Sequence, residues 1–465
     1  DIWCQIHSLV PMRDAAKVAC VSRGFAHSWR YYPNLVFSEE TLGINVNTSG
    51  KNEKMRDFTS KVDCIMKKHS GIGVKTFRFQ VGVVYSAKDC CHLYHLDSWL
   101  QSAVKPGIEE LNLTLSSVNA MYHFPCSLLS GGTGDLLRYL VLVSCYFLPQ
   151  NFLTRLRLHK VDILEDELEC LLSNSFSLEQ LKLGNCNNIV RLKIPCLQRL
   201  SSLEVSACSR LKREKLRTYP ISSNLHVRLS LGGTPPVKKL FITYDDAAFY
   251  ARTELPSRMP NLEALSICSR TEAVNTPMEN SKFIHLKFLH IILGGRDYDF
   301  LSLVSFFDAS PSLETFRLTV SHCLSCNDIV IPTHEERISI FLDPLDLRTV
   351  PEHLHDKLKL VEIINFCSAK TLIELICHIL QSTRSLERLT LDTTQGFARC
   401  SVNKSGKCLL MRKDALVEAN RALLAVQMYI KPNVPPTVEL NALEPCSRCH
   451  ADVRLEVPVT MPFCS

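Results

Sequence analysis

One apolar signature of fixed phase, L-x-x-L-x-L with conservative exchanges, recurs along the chain and limits its possible folds more than any other feature. The clearest copies are Leu178-Leu181-Leu183 and Leu200-Leu203-Val205, twenty-two residues apart. Both continue in the same register, the first through Cys186 and Ile189, the second through Cys208 and Leu211. Leu137-Leu140-Leu142 leads to Cys145, and Leu153-Leu156-Leu158 leads to Val161 at the cysteine position. Further copies are Ile108-Leu111-Leu113, Val237-Leu240-Ile242, Leu262-Leu265-Ile267, Leu286-Leu289-Ile291, Leu313-Phe316-Leu318, Leu358-Val361-Ile363 and Leu386-Leu389-Leu391.

Side chains alternate along a strand, so the second and third apolar residues of each copy share one face. A single short strand cannot bury that face, whereas stacked copies share a continuous core and a parallel sheet. Most intervals between successive middle residues lie between 22 and 29, with outliers of 16, 37 and 45. That spacing is typical of leucine-rich repeats. The long gaps are expected to hide degenerate copies at Leu225 to Leu231 and Ile338 to Leu342. A small cysteine suits the point where the chain bends inward, because its weak polarity tolerates burial. The first x of the signature is charged in most copies (Glu109, Arg138, Glu179, Lys238, Glu263, Lys287, Glu314, Lys359, Glu387), which predicts solvent exposure there. Helices are predicted between copies at 165–173, 300–309 and 369–381, the last from the spacing of Leu372, Leu375, Ile376 and Ile379. The expected fold is an α/β solenoid of leucine-rich repeats on a parallel sheet.

The 465 residues suit two or more domains, and 46% hydrophobic against 22% charged residues fits a folded chain with a large core. A net charge of +6 is small for this length, and the densest basic run, Arg210 to Arg217, contains Glu214. It is read as a solvated face, not as a nucleic-acid site. No apolar stretch approaches the roughly 20 residues of a membrane span. No secretory leader is recognisable, so the 21 cysteines are expected to be mostly buried thiols in a reducing compartment. Cys446, Cys449 and His450 form a C-x-x-C-H run, but Cys400 and Cys408 do not complete a familiar zinc spacing. Cys323 and Cys326 are expected to be packing residues. No phosphate-binding glycine loop, nucleophile elbow or H-E-x-x-H occurs. Cys90-Cys91-His92 and Cys377-His378 are only sequence neighbours. No catalytic residue, metal site or cofactor is assigned, and no nucleic-acid or membrane partner.

The first forty residues differ in pattern. Ile2, Ile6, Leu9 and Val10 fall on one helical face and Pro11 ends that helix. Asp14 is expected to cap a second helix through Ala15, Val18 and Val21, and a third brings Phe25 and Trp29 together. Three such short helices make too small a core to stand alone. In this setting Asp1, Ile2, Ile6, Val10-Pro11, Asp14, Val21-Ser22-Arg23 and Phe25 resemble an F-box. The continuation Tyr32-Pro33-Asn34-Leu35 and Phe37 to Glu40 is similar to F-box proteins of flowering plants. Leu358 to Leu391 resembles the FBD region of the plant F-box/leucine-rich-repeat family, through Val361-Glu362, Phe366, Glu374-Leu375, Ile379-Leu380 and Leu386-Glu387-Arg388-Leu389. The family's F-box usually opens with Leu-Pro, so a start at Asp1 implies a clipped first helix. The resulting division is an F-box at 1–40, a linking and capping region at 41–105, the repeats at 106–357, FBD-like terminal repeats at 358–395 and an extension at 396–465.

The resemblance implies a substrate-recognition subunit of a cullin–RING ubiquitin ligase, nuclear or cytoplasmic, and no enzyme. Its helices would bind a Skp-type adaptor and its repeats an unknown target protein. Adaptor-facing candidates are Ile2, Ile6, Val10, Pro11, Val18, Val21, Phe25 and Trp29, although some must build the helical core, Trp29 first among them. For the target, residues between the strand leucines point to the open sheet face: Arg157, Lys182, Glu204, Phe241, His290, Arg317 and Glu362. Alternatives of the same architecture are an interaction scaffold that does not bind the adaptor and a small-molecule sensor.

Overall fold

A computed structural model describes residues 2–44, 51–85, 93–117, 122–129, 136–146, 153–186, 188–189, 191–195, 197–206, 228–231, 236–243, 247–269, 282–294, 298–321, 339–341, 347–348, 354–394, 411–447 and 449–450. The chain divides into two units, Asp1–Val237 and Lys238–Ser465.

The first unit opens with helices α1 (Ile2–Leu9), α2 (Met12–Val21) and α3 (Arg23–Trp29). Then come β1 (Asn34–Phe37), α4 (Lys51–Lys68), β2 (Thr76–Tyr85), α5 (Leu93–Ala103), β3 (Glu110–Ser117), β4 (Tyr122–His123), β5 (Tyr139–Val143), β6 (Cys145–Tyr146) and β7 (Arg155–His159). It closes with α6 (Glu165–Ser173), β8 (Gln180–Gly184), β9 (Arg191–Ile194), β10 (Ser202–Ser206) and β11 (Arg228–Leu231). Its sheet runs β1-β2-β3-β5-β7-β8-β10 with every neighbour parallel. The register stacks the signature leucines: Leu111, Leu140, Leu156, Leu181 and Leu203 form one row, and Leu113, Leu142, Leu158, Leu183 and Val205 the next. All ten are buried. A slip of one residue in any strand would turn its pair outward, at about 1.5–3 kcal/mol per side chain.

The second unit repeats this plan with β12 (Lys239–Thr243), α7 (Ala247–Thr253), α8 (Leu255–Arg258), β13 (Ala264–Ser269), β14 (Phe288–Gly294), α9 (Val304–Asp308), β15 (Thr315–Ser321), β16 (Leu360–Ile364), α10 (Lys370–Ser382), β17 (Arg388–Asp392), α11 (Lys413–Ala425) and β18 (Glu439–Leu443). These seven strands are also parallel and in chain order. Leu240, Leu265, Leu289, Phe316, Val361 and Leu389 stack in one row. The predicted helix at 300–309 is a 3-10 turn, Phe300–Leu303, followed by α9.

A backbone device ends four strands. Ser144, Lys160, Asn185 and Asn365 have φ of 60°, 51°, 51° and 57°. Each follows directly on its strand and precedes the inward-turning residue: Cys145, Val161, Cys186 or Phe366, all buried. The left-handed residue turns the chain under the sheet, and in three of the four its N–H still bonds to the neighbouring repeat: Ser144 to the His159 carbonyl (2.9 Å), Lys160 to the Gly184 carbonyl (2.8 Å) and Asn185 to the Ser206 carbonyl (2.8 Å). The Cys186 thiol donates to the Gly184 carbonyl at 3.6 Å. At the other end of the strands, the charged residues of the signature alternate in sign: Lys238, Glu263, Lys287, Glu314, Lys359 and Glu387 follow one another, each bonded by its N–H to the carbonyl of the one before. Opposite charges thus meet across neighbouring strands, as in Lys238–Glu263 (2.9 Å) and Lys359–Glu387 (3.4 Å).

Three expectations need correction. The segment ending at Leu231 adds no strand to the main sheet, because β11 pairs with β9 in a separate two-stranded piece. Around Ile340 the chain makes only an isolated antiparallel bridge, Ser339 to Ala369, while Ile338 and Leu342 lie outside the described residues. Asp14 is not a cap: α2 starts at Met12 with Pro11 at the cap position, so Asp14 sits in the first turn and pairs with Lys17 at 3.0 Å. Parallel strands also stand upstream of residue 106, β1 and β2 in the first unit, and downstream of residue 395, β18 in the second.

Candidate protein-binding surfaces

Helix α3 packs against both α1 and α2, and the centre of this small bundle is polar. His7 on α1 is buried, donates from Nε2 to the Ala15 carbonyl on α2 (2.9 Å) and places Nδ1 2.9 Å from the Ser28 hydroxyl on α3. Around its ring stand Phe25, Trp29 and Tyr32, with centroids at 5.1, 6.2 and 5.8 Å. One imidazole therefore ties all three helices together. Trp29, placed among the adaptor-facing candidates, is instead a core residue: it is buried and stacks on Tyr32 at 5.2 Å. The Tyr32 hydroxyl donates to the Val10 carbonyl (2.8 Å), and burial raises its pKa. The Val36 N–H donates to the Met12 sulfur (3.1 Å), which fastens α2 to β1.

With the core filled in this way, apolar residues are left outside. Ile2 is 71% exposed, Leu9 85% and Val21 84%. Ile2, Ile6 and Leu9 occupy i, i+4 and i+7 of α1, one stripe of the helix. Pro11 is exposed, and Val10, Val18 and Phe25 are half-buried. Leu9 belongs to this outward set although it was not among the candidates. Its place on the same stripe as Ile2 and Ile6 was the available signal.

The seven candidates on the repeats fall into one register position within the sheet of each unit. In the first unit Arg157, Lys182 and Glu204 are direct cross-strand partners. In the second, Phe241, Ser266, His290, Arg317 and Glu362 are consecutive across β12 to β16. Lys182 pairs with Glu204 and Arg317 with Glu362, each at 2.6 Å. His290 Nε2 lies 3.1 Å from the Thr319 hydroxyl. Burial, and secondarily the Arg317 charge, lowers its pKa to about 4, so it is neutral near pH 7. The second-unit face also carries apolar side chains at other outward positions, Phe288 and Ile292 on β14 and Ile364 on β16. On the first unit, β7 presents Arg155, Arg157 and His159 together, and Lys160 follows. His159 accepts a hydrogen bond at Nε2 from the Asn185 amide (3.0 Å). Its pKa is lowered by burial, then by the charges of Lys160 and Arg157.

The other polar groupings are tied into the fold. Arg348 donates to Glu374 Oε2 from Nη2 and Nε (2.6 and 2.9 Å) and to both Asp299 oxygens (2.8 and 2.9 Å). Glu374 is buried within α10. His450 uses both ring nitrogens, Nδ1 toward the Cys446 carbonyl (3.1 Å) and Nε2 accepting the Met411 N–H (3.2 Å). Cys323, Cys326, Cys400 and Cys408, and the Cys90 to His92 run, lie outside the described residues. Burial pushes the Cys145 thiol up to about 12 and Cys377 up to about 11, so neither is a thiolate near pH 7. Among the described residues no cluster of three or more His, Cys, Asp and Glu is placed to hold a metal, and no helix is long and apolar enough to cross a membrane.

Residues 65–447 match the family described as "At1g61320/AtMIF1, LRR domain". The chain belongs to this family. A similar protein, "Putative FBD-associated F-box protein At5g53635" of Arabidopsis thaliana, is 23% identical over 427 residues, covering 84% of this chain and 92% of the relative. With the three-helix N-terminus and the β16-α10-β17 segment that carries the FBD-like residues, the chain is a plant F-box/leucine-rich-repeat protein. In this F-box protein the family match takes in β2 through β18, which agrees with a repeat sheet that starts before residue 106.

Proposed function

We propose that this F-box/leucine-rich-repeat protein is a substrate-recognition subunit of a cullin–RING ubiquitin ligase, acting in the nucleus or cytoplasm. A Skp-type adaptor docks on α1 and α2 through Ile2, Ile6, Leu9 and Val21, with Val10, Pro11, Val18 and half-buried Phe25 at its margin. A target protein is held by the outward sheet faces, through Arg157, Lys182 and Glu204 in the first unit and through Phe241, His290, Arg317 and Glu362 in the second. The carrying observation is the outward apolar stripe on α1, together with exposed Val21 on α2, in a bundle whose core is already filled. Apolar side chains so exposed on a small helical unit are stabilised by a partner that covers them. The chain itself makes and breaks no bonds in this role: it raises the local concentration of a target lysine beside the charged conjugating enzyme. The test is co-purification of the chain with a plant Skp-type adaptor. A stable one-to-one complex, lost with Val10→Asp, supports the assignment. Separate elution of the two proteins overturns it and leaves a repeat scaffold.

A further inference from the structure

Building on the target-binding role proposed for the sheet face, we propose that the first unit takes an acidic segment of its target, laid in extended form along β7 with acidic side chains at alternate positions. Three side chains carry this: Arg155, Arg157 and Lys160. Strand β7 alternates strictly between buried Leu156 and Leu158 and outward Arg155, Arg157 and His159. The two arginines are therefore on one face, about 6.6 Å apart along the strand. An extended peptide has the same repeat, so a Glu-Xaa-Glu segment brings its carboxylates opposite both guanidiniums.

The charges on this face do not cancel. Among the described residues, the two carboxylates at outward strand positions, Glu110 and Glu204, are already paired, with Arg78 at 2.8 Å and Lys182 at 2.6 Å. Arg155 and Arg157 are exposed, and among the described residues neither has a carboxylate partner. Arg155 is held over the Tyr139 ring at 5.9 Å, which orders its guanidinium without neutralising it. Exposed Lys160 adds a third unmatched charge. The depressed pKa of His159, caused in part by Lys160 and Arg157, reports the same positive local field. The second-unit face differs: its arginines at 317 and 388 are matched by Glu362 and Glu439. Charge complementarity thus selects a polyanionic peptide for the first unit.

The probe is a fluorescein-labelled peptide of alternating glutamate and serine, titrated into the full chain at low salt and followed by anisotropy. Saturable binding is expected. It should weaken about tenfold or more when glutamine replaces glutamate, or when the chain carries Arg155→Gln and Arg157→Gln together. Thermal melts and adaptor co-purification of that variant should match wild type, which separates this surface from the F-box. Equal binding of the glutamine peptide, or an unchanged affinity in the double variant, overturns the assignment. Tighter binding of a phosphoserine peptide than of the glutamate peptide also overturns it, in favour of a phosphate reader.

Discussion

Replacement of His7 by alanine tests whether one buried imidazole holds the F-box helices in place. The substitution removes the hydrogen bond to the Ala15 carbonyl and the contact with the Ser28 hydroxyl, worth about 1 kcal/mol each. It also empties the space between Phe25, Trp29 and Tyr32, for a further 1–2 kcal/mol or so. The sum is about 3 kcal/mol, concentrated in some thirty residues with little other core. His7→Leu keeps the volume and loses only the polar part, about 2 kcal/mol. Hydrogen exchange by mass spectrometry reads this directly. Amides of α1 to α3 should exchange on the order of 100-fold faster in His7→Ala and less so in His7→Leu, while those of β12 to β17 stay unchanged. Adaptor affinity should fall with the folded fraction of the helices. Wild-type exchange in α1 to α3 of His7→Ala would refute the reasoning, since the three helices would then be held by something other than the imidazole.

Other perturbations follow from the same geometry. Arg348→Met removes the guanidinium from the buried Glu374 carboxylate, leaving it the N–H of residue 348, and should cost about 3–5 kcal/mol in denaturant melts, with much of the loss recovered in the double variant Arg348→Met/Glu374→Met. Equal stability of the single and double variants would contradict this. Acid should destabilise the fold through His290: the unfolded chain takes up a proton near its usual value of 6.5 and the folded chain holds out to about 4, so stability is lost as pH falls between them. His69 and His159, also lowered, act in the same direction. Thermal melts across that range should fall for wild type and fall less for His290→Gln. Gly71 has φ of +72°, and a Cβ there would run into the Ser102 carbonyl oxygen, so Gly71→Ala should cost about 2 kcal/mol or more by the same melts.

Much of the repeat architecture was legible in the sequence because the signature carries its own geometry. Each of the eleven copies became a strand of a main sheet, and the residue between the two strand leucines fell into one row within each unit. Three strands escaped notice for physical reasons. In β2 the inward positions are Phe77 and Phe79, behind Val74, so aromatic rings replace the leucines of the same phase. Strand β18 has Ala442 at an inward position and Thr437 at the leading one, and β1 has only four residues. The N-terminal helices were legible as elements but not in their interior. A stripe of Ile2, Ile6 and Leu9 is equally compatible with facing a core or a partner, and only the filled interior, with His7 and Trp29 inside, decides the direction. The Arg348–Glu374–Asp299 cluster had no local signal, because its members come from distant segments brought together by the fold.

The central claim, that the outward apolar stripe of the F-box binds a Skp-type adaptor, is tested most directly by titration calorimetry of the chain with that adaptor at several temperatures. The account predicts saturable one-to-one binding with a negative heat-capacity change from apolar burial, abolished by Ile6→Asp combined with Val21→Asp while the melting temperature is kept. Absence of binding by the wild-type chain, or undiminished binding by the double variant, would contradict it.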